Sequence, residues 1–203
     1  MQIHSLFPKP VGIFHLDRDF SKKEIKTINQ KLENVYQNVG NKTSTDSFVF
    51  NNPNLLNLKE FCLDALNQFT IQVFGNQIDL RITQSWLNIA KKNEWNHRHH
   101  HPNSFISGVL YVETTELDKI FFHNPEKRHY LHNSEIFTLH NSDDWWMPAT
   151  KGSLLLFMSS LEHSVDAVQS DKRISLSFNT FFDSTFGSEK GLTLLPVSNQ
   201  YGS

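Results

Sequence analysis

Hydrophobic positions recur at helical spacing in the first third of the chain. Ser21 begins a Ser-Lys-Lys-Glu capping box, and the apolar residues after it predict a helix from 21 to about 37. A second apolar stripe predicts a helix over about 54–74, with Gly75 as its stop. The segment 39–50 is polar and predicts a loop that leads to a short strand.

From residue 78 onward the hydrophobic period changes to two, which is typical of strands. The predicted strands are 80–89, 104–113, 119–122, 153–158, 163–168 and 173–182. Two helices followed by a run of strands favour a mainly β, α+β fold: an antiparallel sheet structure with the helices packed on one side. The irregular segment 123–150 predicts an insertion or lid, where Trp145 and Trp146 either cover a substrate or pack beneath the loop.

Length and charge narrow the classes of protein. We expect 203 residues to form a single domain, and the net charge of −2 argues against a broad nucleic-acid surface. The single cysteine, Cys62, lies in an apolar helical pattern and is expected to be a buried thiol. The first residues lack the pattern of a signal peptide, and no stretch approaches the roughly 20 apolar residues of a membrane span, so we expect a cytoplasmic protein.

The histidines concentrate in one place. Four of the eleven fall within residues 97–101, immediately before an apolar strand. Imidazole is the commonest protein ligand for metals, and side chains two residues apart on a strand point the same way. The pair that shares a face is either His99 and His101 or His97 and His99, and a solvated surface cluster is the alternative to a metal site.

A polar strand face lies far downstream of the histidine run. His163 follows a buried strand, and ten residues later Arg173, Ser175, Ser177 and Asn179 alternate with apolar residues. A strand face of hydrogen-bonding groups is costly to bury without partners, so it faces either solvent or a polar cavity. An arginine on such a face offers paired donors to a carboxylate.

Six motifs in a fixed order carry a family resemblance. They are Trp-x-Asn (86–88), His-x-His-Pro-Asn-Ser (99–104), Ser-Gly-Val-x-Tyr-Val (107–112), Gly-x-Leu-Leu-Leu-Phe (152–157), Leu-x-His-x-Val (161–165) and Arg-Ile-Ser-x-Ser-Phe-Asn (173–179). Together they resemble the iron(II)- and 2-oxoglutarate-dependent oxygenases of the prolyl-hydroxylase-like superfamily, in particular small ones from marine phages and bacteria. The resemblance implies a double-stranded β-helix (jelly-roll) core over about 80–182, with a helical part over about 21–75.

The resemblance also implies a metal centre. His99 and His163 would be iron(II) ligands, and His101 would stand where the family usually has a carboxylate. Glu94 and Glu113 are the nearest acids, but neither follows a histidine by two residues. Three interpretations remain: a working three-histidine site, a two-histidine site completed by water, or a site for another metal such as zinc or nickel.

The implied co-substrate is 2-oxoglutarate, with O2 as the oxidant. Arg173 would bind its distal carboxylate, helped by Ser175 and Tyr111, while Asn88 and Asn179 would line the pocket. The expected activity is hydroxylation of an unidentified small molecule or protein, with prolyl residues as one suggestion. The alternative is a cupin-like metal-binding or structural jelly-roll, including a component of a larger assembly, although such a cupin has no need of Arg173 and Ser175 ten residues after its last histidine.

Overall fold

The computed structural model describes residues 1–126, 135–185, 187–195 and 197. The helices and strands in this part of the chain, in order, are β1 (Val11–His15), α1 (Lys22–Lys31), β2 (Val35–Gln37), β3 (Lys42–Ser44), α2 (Leu56–Phe74), β4 (Leu80–Lys91), β5 (Asn96–His99), β6 (Ile106–Glu113), β7 (Lys119–His123), β8 (Asp144–Pro148), β9 (Ser153–Met158), β10 (His163–Val165) and β11 (Lys172–Phe182). Short 3-10 turns precede α2 at Val49–Asn51 and Pro53–Leu55.

The strands form two antiparallel sheets. The larger sheet has the order β1-β9-β6-β11-β4-β3-β2, and the smaller has the order β5-β10-β7-β8. Val109 and Phe157 of the larger sheet pack with Ile120 and Phe122 of the smaller sheet, so the inner faces of the two sheets share a core. This is the expected jelly-roll, a double-stranded β-helix, which confirms the fold class.

The helices cover the outer face of the larger sheet. Leu58 and Leu66 of α2 pack in one cluster with Ile174, Leu176 and Phe178 of β11. Side chains alternate between the two faces of a strand, so this packing turns the other face of β11 toward the smaller sheet. The expectation of helices packed on one side is confirmed, and the polar face of β11 lies in a cavity between the two sheets.

The first helix begins as predicted and ends early. Ser21 Oγ accepts a hydrogen bond from the Glu24 backbone N–H at 3.2 Å, and the Glu24 carboxylate accepts one from the Ser21 N–H at 2.7 Å. The helix stops at Lys31 rather than near residue 37, because Val35–Gln37 leave it to form β2 and pair with β3. Strand pairing onto the sheet overrides the helical spacing of Val35.

The second helix matches its prediction closely. It runs from Leu56 to Phe74, and Gly75 ends it in a left-handed conformation with φ of 78°. Cys62 is fully buried on its inner side, where burial raises the pKa of the thiol, so the expected buried thiol is confirmed. No helix in the described ranges is both long enough and apolar enough to cross a bilayer.

All six predicted strands are present, but the segment 123–150 is more ordered than expected. Asp144–Pro148 form β8 and pair with β7, and Lys119 Nζ lies 4.0 Å from the centre of the Trp146 ring. The description of the whole segment as irregular was therefore wrong for these five residues. Residues 127–134 of the proposed lid lie outside the described residues, and the lid stays a prediction.

Candidate metal and co-substrate site

Three histidines meet at one edge of the smaller sheet. His99 on β5 is paired with His163 on β10 in the strand register, and His101 follows β5 by two residues. One ring nitrogen from each of the three lies within 4.8 Å of the others. Arg98 on β5 donates from Nε to the carboxylate of Glu162, the residue before β10, at 2.8 Å. The structure therefore brings together the three residues that the sequence predicts as metal ligands.

Backbone carbonyls orient two of the three rings. His99 Nδ1 lies 2.7 Å from the His97 carbonyl oxygen, and His163 Nδ1 lies 3.0 Å from the Leu161 carbonyl oxygen. A carbonyl can only accept, so each Nδ1 carries the proton and each Nε2 keeps its lone pair. Metal-bound histidines are commonly fixed in this way by a partner on the second nitrogen. His99 and His163 thus present Nε2 in the form that binds a metal.

The rings are held neutral. Burial lowers the pKa of His163 to about 3 and that of His101 to about 4, and in both cases the neighbouring His99 lowers it further. Burial is also the main reason that the pKa of His99 is lowered. Only neutral imidazole can ligate a metal, so the site is ready to bind a cation without first losing protons at neutral pH.

The third ring has a different partner. His101 Nδ1 lies 3.3 Å from the Asn179 side-chain nitrogen, and His101 Nε2 lies 3.3 Å from His163 Nε2. The Asn179 Oδ1 accepts a hydrogen bond from Ser107 Oγ at 2.8 Å. The Trp86 ring lies beside His101, with 5.7 Å between the ring centres. Asn179, which the sequence predicts only as pocket lining, contacts a candidate ligand directly.

The remaining groups near the run are not part of this cluster. The His97 ring lies beside the His99 ring at a tilt of 33°, with ring centres 4.7 Å apart, and His100 is exposed. Glu94 accepts a hydrogen bond from the Lys91 backbone, and Glu113 pairs with a lysine at 2.8 Å. Among the described residues, no carboxylate joins the three histidines.

Arg173 lines the same cavity, and Tyr111 packs beside it. Both are buried, and the guanidinium carbon lies 5.1 Å from the centre of the tyrosine ring. The Arg173 Nε and the Tyr111 hydroxyl are shielded from solvent, and neither has a hydrogen-bond partner in the part of the chain that the structure describes. Burial raises the pKa of Tyr111, so its hydroxyl stays a donor. Two enclosed donors without acceptors fit the carboxylate of a small acid.

The other predicted co-substrate residues form a row across three strands. Ser175 on β11 lies between Tyr111 on β6 and Asn88 on β4 in the strand register. Asn88 accepts a hydrogen bond from Thr43 at 3.0 Å and donates one to Ser177 at 3.1 Å. Both sides of its amide are therefore engaged, so Asn88 fixes the position of neighbouring groups.

One cavity of about 520 Å³ is lined by the three histidines, Arg173, Ser175 and Asn88. It also reaches residues that the sequence did not single out, among them Asn41 in the turn between β2 and β3 and Asn96 on β5. No sequence signal pairs them, because 55 positions separate them and only the fold brings both to the same cavity.

The comparisons with known proteins agree with this geometry. Residues 84–179 match the model of a family described as "Putative 2OG-Fe(II) oxygenase". No curated protein sequence matches the chain.

Several solved structures share the fold at low sequence identity. A 2OG-Fe(II) oxygenase family oxidoreductase from Burkholderia pseudomallei is 15% identical, with a TM-score of 0.56 over 83% of this chain and 84% of its own. HygX from Streptomyces hygroscopicus, with nickel, 2-oxoglutarate and hygromycin B bound, is 12% identical, with a TM-score of 0.57 over 86% and 84%.

A prolyl hydroxylase from Trichoplax adhaerens, in complex with a hypoxia inducible factor peptide fragment, is 13% identical, with a TM-score of 0.59 over 85% of this chain and 84% of its own. The matched segment 84–179 contains all six sequence motifs, the three histidines and Arg173. Residues 84–179 of this chain are thus similar to the 2OG-Fe(II) oxygenase family model, and the chain has the fold of solved 2OG-Fe(II) oxygenases.

Proposed function

We propose that this protein is an Fe(II)- and 2-oxoglutarate-dependent dioxygenase that hydroxylates its substrate. One observation carries the proposal: three converging neutral histidines share a cavity with the enclosed Arg173, and neither the Arg173 Nε nor the hydroxyl of the adjacent Tyr111 has a partner among the described residues. A metal site alone would explain the histidines, but it leaves Arg173 and Tyr111 unexplained.

The histidines fit a divalent metal that must keep open positions. His99 and His163 would bind it through Nε2, and His101 would supply the third nitrogen in place of a carboxylate. Three protein ligands on one side leave room for a co-substrate and oxygen. When bound, iron(II) supplies the redox chemistry by which O2 and 2-oxoglutarate give succinate and CO2, with one oxygen atom inserted into a C–H bond of the substrate.

Three neutral ligands change the charge balance of the site. A two-histidine, one-carboxylate set cancels one positive charge of the metal, whereas three imidazoles cancel none. The described residues that line the cavity include no aspartate or glutamate. The negative charge near the metal would therefore come from the dianionic co-substrate. We therefore expect co-substrate and metal to strengthen each other's binding more than a carboxylate ligand would allow.

Arg173 and Tyr111 would hold the far carboxylate of 2-oxoglutarate. The guanidinium offers charged donors, and the tyrosine hydroxyl adds a neutral one. Ser175 on the neighbouring position of the same face would add a hydroxyl. Fixing this end of the molecule would direct its other end toward the histidines, because Arg173 and the three histidines line the same cavity.

The core between the sheets keeps water from this end of the cavity. Val109 and Ile120 line the cavity, and they belong to the cluster that contains Tyr111 and Phe157. Phe157 also meets His163 edge-on, with ring centres 4.8 Å apart. Apolar walls strengthen the charge interaction of Arg173 with a carboxylate, because fewer water molecules compete for either partner.

The substrate is a separate part of the proposal. Hydroxylation of a prolyl residue is the suggestion that follows from the superfamily resemblance, and the Trichoplax enzyme was solved with a peptide fragment. HygX, of similar fold, was solved with hygromycin B. A prolyl peptide and a small hydroxylated molecule are therefore the two classes to compare.

The second candidate function is a cupin-like metal-binding or structural jelly-roll. It accounts for the histidines and for the fold, but it gives no role to a buried guanidinium that no described carboxylate pairs with. The two functions differ in one measurable property, which is the binding of 2-oxoglutarate.

The decisive experiment measures co-substrate binding and turnover separately. Titration calorimetry of the zinc-loaded protein should show one 2-oxoglutarate site, and the iron(II)-loaded protein in air should form succinate. A protein that binds metal at the three histidines but neither binds nor consumes 2-oxoglutarate contradicts the oxygenase proposal and supports the cupin-like alternative. Lys172→Ala, next to Arg173 but exposed on the surface, is the matched control.

A further inference from the structure

The cavity has a second polar region, away from Arg173 and Tyr111. It is formed by Asn41 from the β2–β3 turn and by Asn96 and His97 from β5, and we call these three residues the amide subsite. It lies beside a candidate metal ligand, since the rings of His97 and His99 are in contact with their centres 4.7 Å apart. A group held there would be next to the metal but outside the pocket for the co-substrate carboxylate.

The polar atoms of the amide subsite lack partners. Asn41 Oδ1, Asn96 Oδ1 and His97 Nδ1 are each shielded from solvent, and none has a hydrogen-bond partner among the residues that the structure describes. Asn41 is only 3% exposed. Buried polar atoms are almost always hydrogen-bonded. Three unpaired atoms on residues that line one cavity therefore indicate that a ligand forms hydrogen bonds with them. The terminal amide torsion is soft, which lets either asparagine turn its oxygen or nitrogen to that ligand.

Backbone contacts of the fold hold the amide subsite in place. The Trp95 backbone N–H donates to the Gly40 carbonyl at 3.1 Å, which fixes the turn that carries Asn41 beside β5. Gly40 has φ of 84°, and a Cβ there would lie 2.5 Å from the Trp95 carbonyl oxygen. The turn can approach the residue before β5 this closely only with glycine, so the turn that carries Asn41 is held against the start of β5 before any ligand arrives.

The charges of the described residues that line the cavity restrict the class of ligand that the amide subsite can bind. None of the described residues that line the cavity is an aspartate, a glutamate or a lysine, and Arg173 is its single arginine. An amine would find no carboxylate, and an acid would find no cation outside the co-substrate site. Amide groups both donate and accept, and so does the hydroxyl of Ser47, which also lines the cavity. The matching ligand is uncharged and carries groups that donate and accept together.

Hydroxyl groups meet this requirement, whereas a prolyl ring does not. A prolyl ring is apolar and has no N–H, so it would leave the oxygens of Asn41 and Asn96 unpaired. Several hydroxyls on one ring would pair with both amides and with His97. Tyr36 and Trp86 also line the cavity and offer aromatic surface for the C–H side of such a ring.

We propose that the amide subsite of Asn41, Asn96 and His97 binds the substrate, and that the substrate is a neutral, polyhydroxylated small molecule such as a sugar or cyclitol. This inference rests on the proposed oxygenase function, because it takes the amide subsite to present a C–H bond of the substrate to the metal.

The test uses the full-length protein loaded with zinc and 2-oxoglutarate, so that ligands bind without turnover. The probes are glucose, galactose and myo-inositol as neutral polyols, glucosamine and glucuronate as charged analogues, and a proline-containing peptide. Saturation-transfer NMR and calorimetry should detect at least one neutral polyol in preference to the charged analogues and the peptide. Asn41→Ala and Asn96→Ala should each weaken that polyol at least tenfold while 2-oxoglutarate affinity is unchanged.

Two further variants sharpen the result. Asn96→Asp adds a carboxylate to the wall and should shift the preference from the neutral polyol toward glucosamine, which also covers the case that Asn41→Ala fails to fold. Asn57→Ala, exposed on α2, is the matched control and should change nothing. Preferred binding of the peptide, absence of binding by every neutral polyol, or polyol binding that ignores both asparagines overturns the inference.

A different measurement tests the proposed oxygenase function. Binding of 2-oxoglutarate and its conversion to succinate by the iron-loaded protein need no probe from this panel. If these are present and polyol binding is absent, only the substrate inference fails; if 2-oxoglutarate does not bind, the oxygenase proposal itself fails.

Discussion

The Asn179 side-chain nitrogen lies 3.3 Å from Nδ1 of His101, and this contact determines where the His101 proton sits. An amide N–H can only donate, so Nδ1 accepts and Nε2 carries the proton, pointing to His163 Nε2 at 3.3 Å. This arrangement links the two rings to each other in the absence of a metal. Ligation by His101 Nε2 requires the proton to move to Nδ1 and the Asn179 amide to turn its oxygen to the ring.

Substitution of Asn179 should therefore change metal affinity. In Asn179→Asp the carboxylate accepts from Nδ1–H and favours the ligating form of His101, so zinc and iron(II) should bind more tightly than to the native protein. Asn179→Ala removes the partner of Nδ1, and we expect a loss of about 10- to 100-fold. Calorimetric metal titration measures both. Equal affinity in all three proteins would show that Asn179 does not orient the ring.

Loss of the guanidinium at position 173 should weaken the co-substrate and spare the metal. A buried hydrogen bond to a charged group contributes about 1.5–3 kcal/mol, so Arg173→Ala should raise the Kd of 2-oxoglutarate by roughly 10- to 100-fold or more. Zinc titration and 2-oxoglutarate titration of the same variant distinguish the two effects, with Lys172→Ala as the control. A parallel loss of metal binding would show that Arg173 supports the whole site and has no specific role toward the carboxylate.

The metal-free protein should lose stability as the pH falls. Burial lowers the pKa of His163 to about 3 and that of His101 to about 4, whereas the unfolded chain binds these protons near pH 6.5. The unfolded state thus takes up more protons below pH 6.5, and the free energy of unfolding decreases down to about pH 3. Urea unfolding in the presence of a chelator, at steps from pH 7 to pH 4, measures this decrease.

A variant isolates the contribution of one ring to that pH dependence. His163→Gln removes the group with the lowest pKa, so its curve should fall less steeply between pH 6.5 and pH 4 than the native curve. His100→Gln, on an exposed residue of the same segment, should follow the native curve. Identical slopes for the native protein and His163→Gln would show that the ring is not held neutral by the fold.

Gly108 should tolerate no side chain beside Phe178. A Cβ at position 108 would lie 2.2 Å from Cζ of that ring, which is part of the core under the helices. We expect Gly108→Ala to lower the free energy of unfolding by about 1–3 kcal/mol, a typical cost of overpacking. Adding Phe178→Leu should recover part of the loss. Urea unfolding of the two single variants and the double variant checks this, and additive losses would contradict the proposed clash.

The sequence predicts local structure well where one signal dominates. The capping box at Ser21 marks the start of α1, Gly75 marks the end of α2, and the alternation after Arg173 defines both faces of β11. The helix end near Val35 and the strand at Asp144–Pro148 are missed, because both are decided by pairing with strands elsewhere in the chain. Local patterns contain no information about such partners.

The residues of the candidate site also divide into those that the sequence predicts and those that it does not. His99, His101 and His163 are predicted from spacing and from family resemblance, and the fold brings their ring nitrogens together. The choice between His97 and His101 cannot be made from spacing, since either register is an acceptable strand. Asn41 and Asn96 give no signal at all, because an asparagine in a turn or a polar strand is ordinary until a distant segment encloses it.

The placement of the histidines has a consequence for the mechanics of the smaller sheet. β5 is four residues long and forms the edge of that sheet, where strands separate most easily. An ion held by His99 and His163 would act as a removable cross-link between this edge and the strand inside it. The rate of amide hydrogen exchange at Asn96–His99 would then depend on metal occupancy. Added ion would slow this exchange, because binding by mass action stabilises the closed strand. The rate of strand opening would report how much free metal surrounds the protein.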